Sequence, residues 1–186
     1  LGLAISKKLI RLMKGEISVV SEAGKGSDFF FELPLTVAAD DENREEEVGW
    51  LEIVKTRPVV FYSSHPTTQQ VLNQCLMGWS MKVSVMREAS PEELDHTLEE
   101  TGLFILDIMR MKPEEAAPLM RVAAAKGAAI ISYLSITRAK LDRARFAPPA
   151  GSRHVGLSKP IKRRDLLRSM AELFRMPRRV VTAPIA

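Results

Sequence analysis

The sequence holds a single cysteine, Cys75, so it has no pair for an internal disulfide and no thiolate set for a structural metal site. A reducing compartment, the cytoplasm, is the expected location. Cys75 lies among Val71, Leu72 and Leu76, a setting that predicts a buried structural thiol rather than a nucleophile. Long apolar runs are lacking too. No stretch approaches the roughly 18 residues that a membrane-crossing helix needs, and no secretory signal is recognisable, although a parent protein could be attached to a membrane elsewhere. Histidine is scarce: His65, His96 and His154 fall in a loop, an amphipathic helix and a strand, and each reads as structural or solvated. No internal repeat is present.

What is there suffices for a core. Hydrophobic residues make up 46% of 186, which allows one domain or two small ones. The net charge of +4 is modest but uneven. Asp40-Asp41-Glu42 and Glu45-Glu46-Glu47 form an acidic stretch, whereas Arg138 to Arg179 is strongly basic. A solvated surface is the ordinary meaning of such a basic run; an anion or partner site is the sharper one.

Composition divides the chain. In residues 1–36, Leu3, Ile5, Leu9, Ile10, Leu12 and Met13 recur at helical spacing until Gly15. Ile17 to Val20 and Phe29 to Leu33 then read as strands around the turn Ala23-Gly24-Lys25-Gly26. One helix and one hairpin cannot bury a self-sufficient core, so this segment reads as the tail of a larger domain. Residues 37–56 read as an acidic linker whose middle favours disorder. Its Val48–Val54 end, with Trp50, is apolar enough to dock as a short helix or an added strand.

From Arg57 to Met176 strands and helices alternate, which predicts a parallel sheet covered on both faces. Strands are expected at Pro58–Tyr62, Met81–Val85, Leu103–Leu106, Ala128–Leu134 and Arg153–Leu157. Helices are expected at Pro66–Met77, from Ser90, and at Pro113–Lys126, Thr137–Ala144 and Arg163–Phe174. Ser90 should cap its helix, with Glu93 completing a capping box. This is a flavodoxin-like (βα)5 pattern, in which chemistry sits at the carboxyl ends of the strands. Ser63, Ser64, Asp107, Ser135 and Lys159 lie there. The tail 177–186 reads as disordered.

Leu103 to Met109 followed by Pro113, Leu157-Ser158-Lys159-Pro160-Ile161, and His65 to Leu72 together resemble the receiver domains of response regulators. The resemblance implies a phosphoacceptor at Asp107, a supporting Lys159 whose following proline is often preceded by a cis bond, and a phosphoryl-sensing hydroxyl at Ser135. It also implies two acidic residues where Ser63 and Ser64 stand, and a switch aromatic where Gly156 stands. Two hydroxyls cannot supply the charge with which the acidic pair holds Mg²⁺. Metal capture and aromatic readout are therefore expected to be lost.

Residues 1–36 have their own resemblance. Leu1 to Ile5, Met13 to Ile17 and Ser21 to Phe29 are similar to the end of a histidine-kinase ATP-binding α/β sandwich. That similarity implies a nucleotide-contacting remnant at Gly2 and Ser27. The remaining ATP-site elements and a phosphorylatable histidine helix are not found, so no cofactor is expected for this chain, with ATP and magnesium belonging to an intact parent kinase.

Both resemblances imply two-component signal transduction within a hybrid histidine kinase. The favoured expectation is a non-phosphorylatable pseudo-receiver that docks on the parent's kinase core, on another receiver or on a histidine phosphotransfer domain, with a homodimer also open. One alternative is a working phosphoacceptor, Asp107, in a phosphorelay. Another is a cyclic-dinucleotide sensor using Tyr133, Arg138, Arg143, Arg145 and Arg153, where an aromatic and several guanidinium groups could stack and fork. No recognition-helix module follows, so DNA binding is not expected.

Overall fold

Gly15 is where the first helix has to stop. A Cβ there would collide with the Glu32 carbonyl oxygen and the Leu33 side chain, so only glycine lets the hairpin close against the helix end. Helix α1 (Gly2–Leu12) precedes it, and strands β1 (Glu16–Glu22) and β2 (Gly26–Glu32) follow as an antiparallel pair. The computed structural model describes residues 2–36, 43–99, 102–135 and 139–177, and these divide into two units between Asp41 and Glu42. In the first unit only Ile10 among the described apolar side chains is buried. Leu9, Val19, Val20, Phe29, Phe30 and Phe31 are all exposed, on both faces of the hairpin. Such a unit has no interior of its own.

The second unit contains a five-stranded parallel sheet of β3 (Pro58–Tyr62), β4 (Lys82–Val85), β5 (Leu103–Asp107), β6 (Ala129–Leu134) and β7 (His154–Ser158). Their spatial order is β4-β3-β5-β6-β7. Chain reversal in the order places the topological switch beside β5, the doubly wound arrangement. β5 and β6 are buried at every residue because helices cover both faces. Alternation assigns the sides. Phe61, Ile105, Ile131 and Tyr133 face α3 (Pro66–Gly78) and α7 (Arg163–Arg175), whereas Val60, Phe104, Leu106 and Ile130 face α4 (Pro91–Thr97) and α5 (Pro113–Ala125). Between β6 and β7 runs α6 (Ala139–Arg145).

Ser90 caps α4 as expected, its hydroxyl accepting from the Glu93 N–H at 3.1 Å. Glu93 does not return the contact. Its carboxylate accepts from the Arg87 N–H at 3.4 Å, so the reciprocal half of the capping box is not formed.

The expected acidic linker needs a larger correction. Residues 43–54 form α2 (Asn43–Val54), a helix of the second unit that packs against α7. Val54 is completely buried, and Trp50, Leu51 and Ile53 pack on the same core cluster. Glu46 and Glu47 reach the Arg164 guanidinium at 3.3 and 3.4 Å, and that guanidinium also lies over the Trp50 ring. The ion pairs are exposed and contribute about 0–1 kcal/mol each, so apolar burial holds α2 in place. Arg153 is also not where its basic surroundings suggested. Its guanidinium is internal and donates to the Leu173 and Gly127 carbonyls at 3.1 and 2.6 Å. It ties α7 to the start of β6.

Ile105 in β5 and Leu167 in α7 are 1% and 2% exposed. Truncation of either to alanine is expected to cost about 2–5 kcal/mol in urea unfolding of the chain. A loss below about 1 kcal/mol at either position would place the core elsewhere.

Candidate functional site

Strand register brings together residues that are far apart in sequence. Tyr62 of β3 is opposite Leu106 of β5, so Ser63 emerges beside Asp107. Asp107 is opposite Tyr133 of β6, and Leu134 is opposite Ser158 of β7, so Ser135 and Lys159 emerge in the same row. The Lys159 N–H donates to the Leu134 carbonyl at 3.0 Å, fixing where its side chain starts. The Lys159–Pro160 peptide is cis.

The Asp107 carboxylate is held by three donors. Its Oδ2 accepts from the Ser63 hydroxyl at 2.8 Å and from the Lys159 ammonium at 2.6 Å. Its Oδ1 accepts from the Met109 N–H at 3.3 Å. Ser63 is itself held, its Oγ accepting from the His65 N–H at 3.2 Å and its carbonyl from Gln69 Nε2 at 2.7 Å. Asp107 and Ser63 are buried, whereas the Lys159 side chain keeps 28% of its surface. A buried carboxylate with one cation and two further donors is electrically matched as it stands.

The donor set does not fit magnesium. Mg²⁺ takes octahedral oxygen ligands and is usually anchored by carboxylates. Here Ser63 and Ser64 bring no charge to Asp107, and among the described residues no three His, Cys, Asp or Glu side chains cluster as metal ligands. Ser63 directs its proton at Asp107, and Ser64 is exposed, lining a separate cleft with Arg110 and Glu114. A divalent cation at Asp107 would share the carboxylate with Lys159 and find no second carboxylate beside it among the described residues.

Tyr133 lies beneath Lys159, whose ammonium sits 5.7 Å from the ring centre. The tyrosine is 3% exposed, and burial, reinforced by Cys75 and Asp107, pushes its phenol far above the ordinary range. It stays protonated. Ser135 is half-buried, its N–H donating to Asp142 Oδ2 at 3.2 Å.

The five residues expected to form one ligand face are not brought together as such. Tyr133 belongs to the sheet's α3–α7 side, and Arg153 is the internal tie already described. Arg145 is exposed on α6, while Arg138 and the Arg143 side chain lie outside the described residues. Gly2 and Ser27 are exposed in the first unit, where the Ser27 and Ser21 hydroxyls are 2.7 Å apart across the hairpin. Sequence reasoning missed Gln69 and Met109 as supports of the site. An i+2 backbone contact to a strand-end aspartate is a common turn device and was available as a signal.

This geometry agrees with the comparisons to known proteins. No family model matches the chain. Over 103 residues it is 32% identical to the sensor protein GacS of Pseudomonas syringae, a stretch that is 55% of this chain but 8% of that protein. The chain thus spans a small part of the curated relative's length. The receiver domain of the sensor histidine kinase PA1611 from Pseudomonas aeruginosa superposes with TM-score 0.52 at 17% identity, covering 63% of this chain and 97% of that one. Full-length ShkA superposes with TM-score 0.55 at 19% identity, covering 96% of this chain and 35% of the other. The second unit therefore has the receiver fold, and over part of its length the chain has sensor histidine kinases as homologues.

Asp107 and Lys159 should be energetically coupled. In a double-mutant cycle of Lys159→Met and Asp107→Asn followed by urea unfolding, the coupling free energy is expected to be about 1–3 kcal/mol. A value under about 0.5 kcal/mol would mean that solvent screens the pair.

Proposed function

We propose that the second unit is a pseudo-receiver of a hybrid histidine kinase, a regulatory docking module that does not itself carry phosphoryl groups. The observation behind this reading is the Asp107 carboxylate, closed by Ser63 and Lys159 with no second carboxylate beside it. In-line phosphoryl transfer is mostly positioning and charge neutralisation, for which receivers rely on a bound cation. The PA1611 receiver coordinates a magnesium ion in its active-site cleft. In this chain a dianionic phosphoryl group on Asp107 would have Lys159 alone to offset it.

Without a phosphoryl signal, the remaining currency is surface contact. The exposed apolar hairpin of the first unit supports its assignment as the closing part of a kinase ATP-binding domain, whose missing portion would cover Val19, Phe29 and Phe31. ATP and magnesium would then belong to the parent, as would the partners: its kinase core, another receiver or a histidine phosphotransfer domain.

The retained Asp107–Lys159 pair favours the competing reading, a phosphoacceptor in a relay. Incubation with acetyl phosphate and Mg²⁺ separates the two. No acid-labile phosphate is expected on Asp107, and beryllofluoride with Mg²⁺ should leave the melting temperature unchanged. Phosphate on Asp107 at ordinary Mg²⁺ would sink the pseudo-receiver reading. The reverse experiment adds the missing charge. Ser63→Asp sets a second carboxylate against Asp107, so the variant should be less stable than the parent chain in EDTA and regain stability when Mg²⁺ is added. A Ser63→Asp variant indifferent to Mg²⁺ would mean that more than this charge has been lost.

A further inference from the structure

A cleft of about 600 Å³ opens alongside the Asp107 site, between α3 and the segment leading into α7. That volume lies within the range of small-molecule sites. Its floor and one wall are apolar, formed by Val71, Leu72, Cys75, Ile161 and Leu166. Its other end is polar and positive. Lys159 and Arg163 both line it, and among the described residues no aspartate or glutamate does. Asp107 answers Lys159. Arg163 rests on the Trp79 ring at 5.3 Å and has no carboxylate partner among the described residues. One positive charge at the cleft is therefore left over.

Tyr133 supplies the second, independent observation. It is 3% exposed and lines the cleft, yet its hydroxyl makes no hydrogen bond to any described residue. The hydroxyl oxygen is not among the side-chain atoms sealed from solvent without a partner, so it opens on the cleft. The phenol is held protonated by burial, so this hydroxyl can donate to a group in the cleft. Lys159 has further ammonium protons beyond the one given to Asp107. A donor hydroxyl, an ammonium and an unmatched guanidinium thus border one apolar cavity.

We propose that this cleft binds a small amphiphilic anion, a monocarboxylate with an apolar body. The carboxylate accepts from the Tyr133 hydroxyl and meets Lys159 and Arg163, while the body lies on Val71, Leu72 and Cys75. Such a ligand shares Lys159 with Asp107, so the inference rests on the reading that the aspartate carries no phosphoryl group. It needs neither Arg145 nor a nucleotide.

Decanoate, kept below its micelle concentration, is the probe, titrated into the whole 186-residue chain by calorimetry with circular dichroism confirming the fold. Saturable one-site binding is expected, with decanol, the same body without the charge, bound at least tenfold more weakly. Tyr133→Phe removes only the hydroxyl and should weaken decanoate roughly tenfold. Val71 is 60% exposed, so Val71→Trp fills the cleft without entering the core and should abolish binding. The proposal is overturned if decanoate shows no saturable binding, if decanol binds as tightly, or if folded Val71→Trp binds decanoate like the parent chain. Should Tyr133→Phe fail to fold, the decanol and Val71→Trp comparisons decide alone.

Discussion

The Lys159–Asp107 contact depends on the parallel register of the whole sheet. Its partners sit on β5 and just beyond β7, with β6 between them, and a slip of one residue in either pairing would turn one side chain to the opposite face. The contact therefore exists only when all three strands are paired correctly. It also satisfies a carboxylate that the sheet has buried, which would otherwise be an uncompensated charge among apolar strands. Ser63 takes part in the same closure, with a hydroxyl in place of a second carboxylate. The site is neutral without any visitor.

The sheet was legible because its signals were local. Leu103–Leu106 is a continuous apolar run ended by an aspartate, and Ala129, Ile131 and Tyr133 alternate with Ile130, Ser132 and Leu134, so strand identities held to within a residue at the ends. The same alternation could have placed Tyr133 on the α3–α7 side instead of in a surface cluster. Helix α2 was harder. Glu45, Glu46 and Glu47 form a charge run that suggests solvated chain, yet Glu45 and Glu46 occupy a first helical turn, where acidic side chains favour the helix dipole. What makes the segment fold is Trp50 and Val54 meeting α7, more than a hundred residues away in sequence; the apolar Val48–Val54 end announced docking, but not that the helix would begin at Asn43. Arg153 misled for a related reason. Its two carbonyl partners, Gly127 and Leu173, come from separate elements, and a basic run says nothing about which of its members turns inward.

The segment from Lys159 to Leu166 joins these features into one mechanical unit. Lys159 is drawn to Asp107, Arg163 is laid on Trp79 at the edge of the cleft, and Arg164 reaches Trp50, Glu46 and Glu47 of α2. Three consecutive attachments on so short a length of chain leave little freedom to move one without the others. A shift of Lys159 toward a ligand in the cleft would pull on the start of α7, and α2 is docked against α7 chiefly by apolar packing. Interfaces of that kind change by repacking between discrete arrangements rather than by smooth deformation. The second unit thus has, within its own fold, a physical path from the strand ends to the helix that follows residue 42. That path needs no aromatic at Gly156, since it runs along the backbone of the β7–α7 connection instead of through a side chain on the opposite face of the sheet.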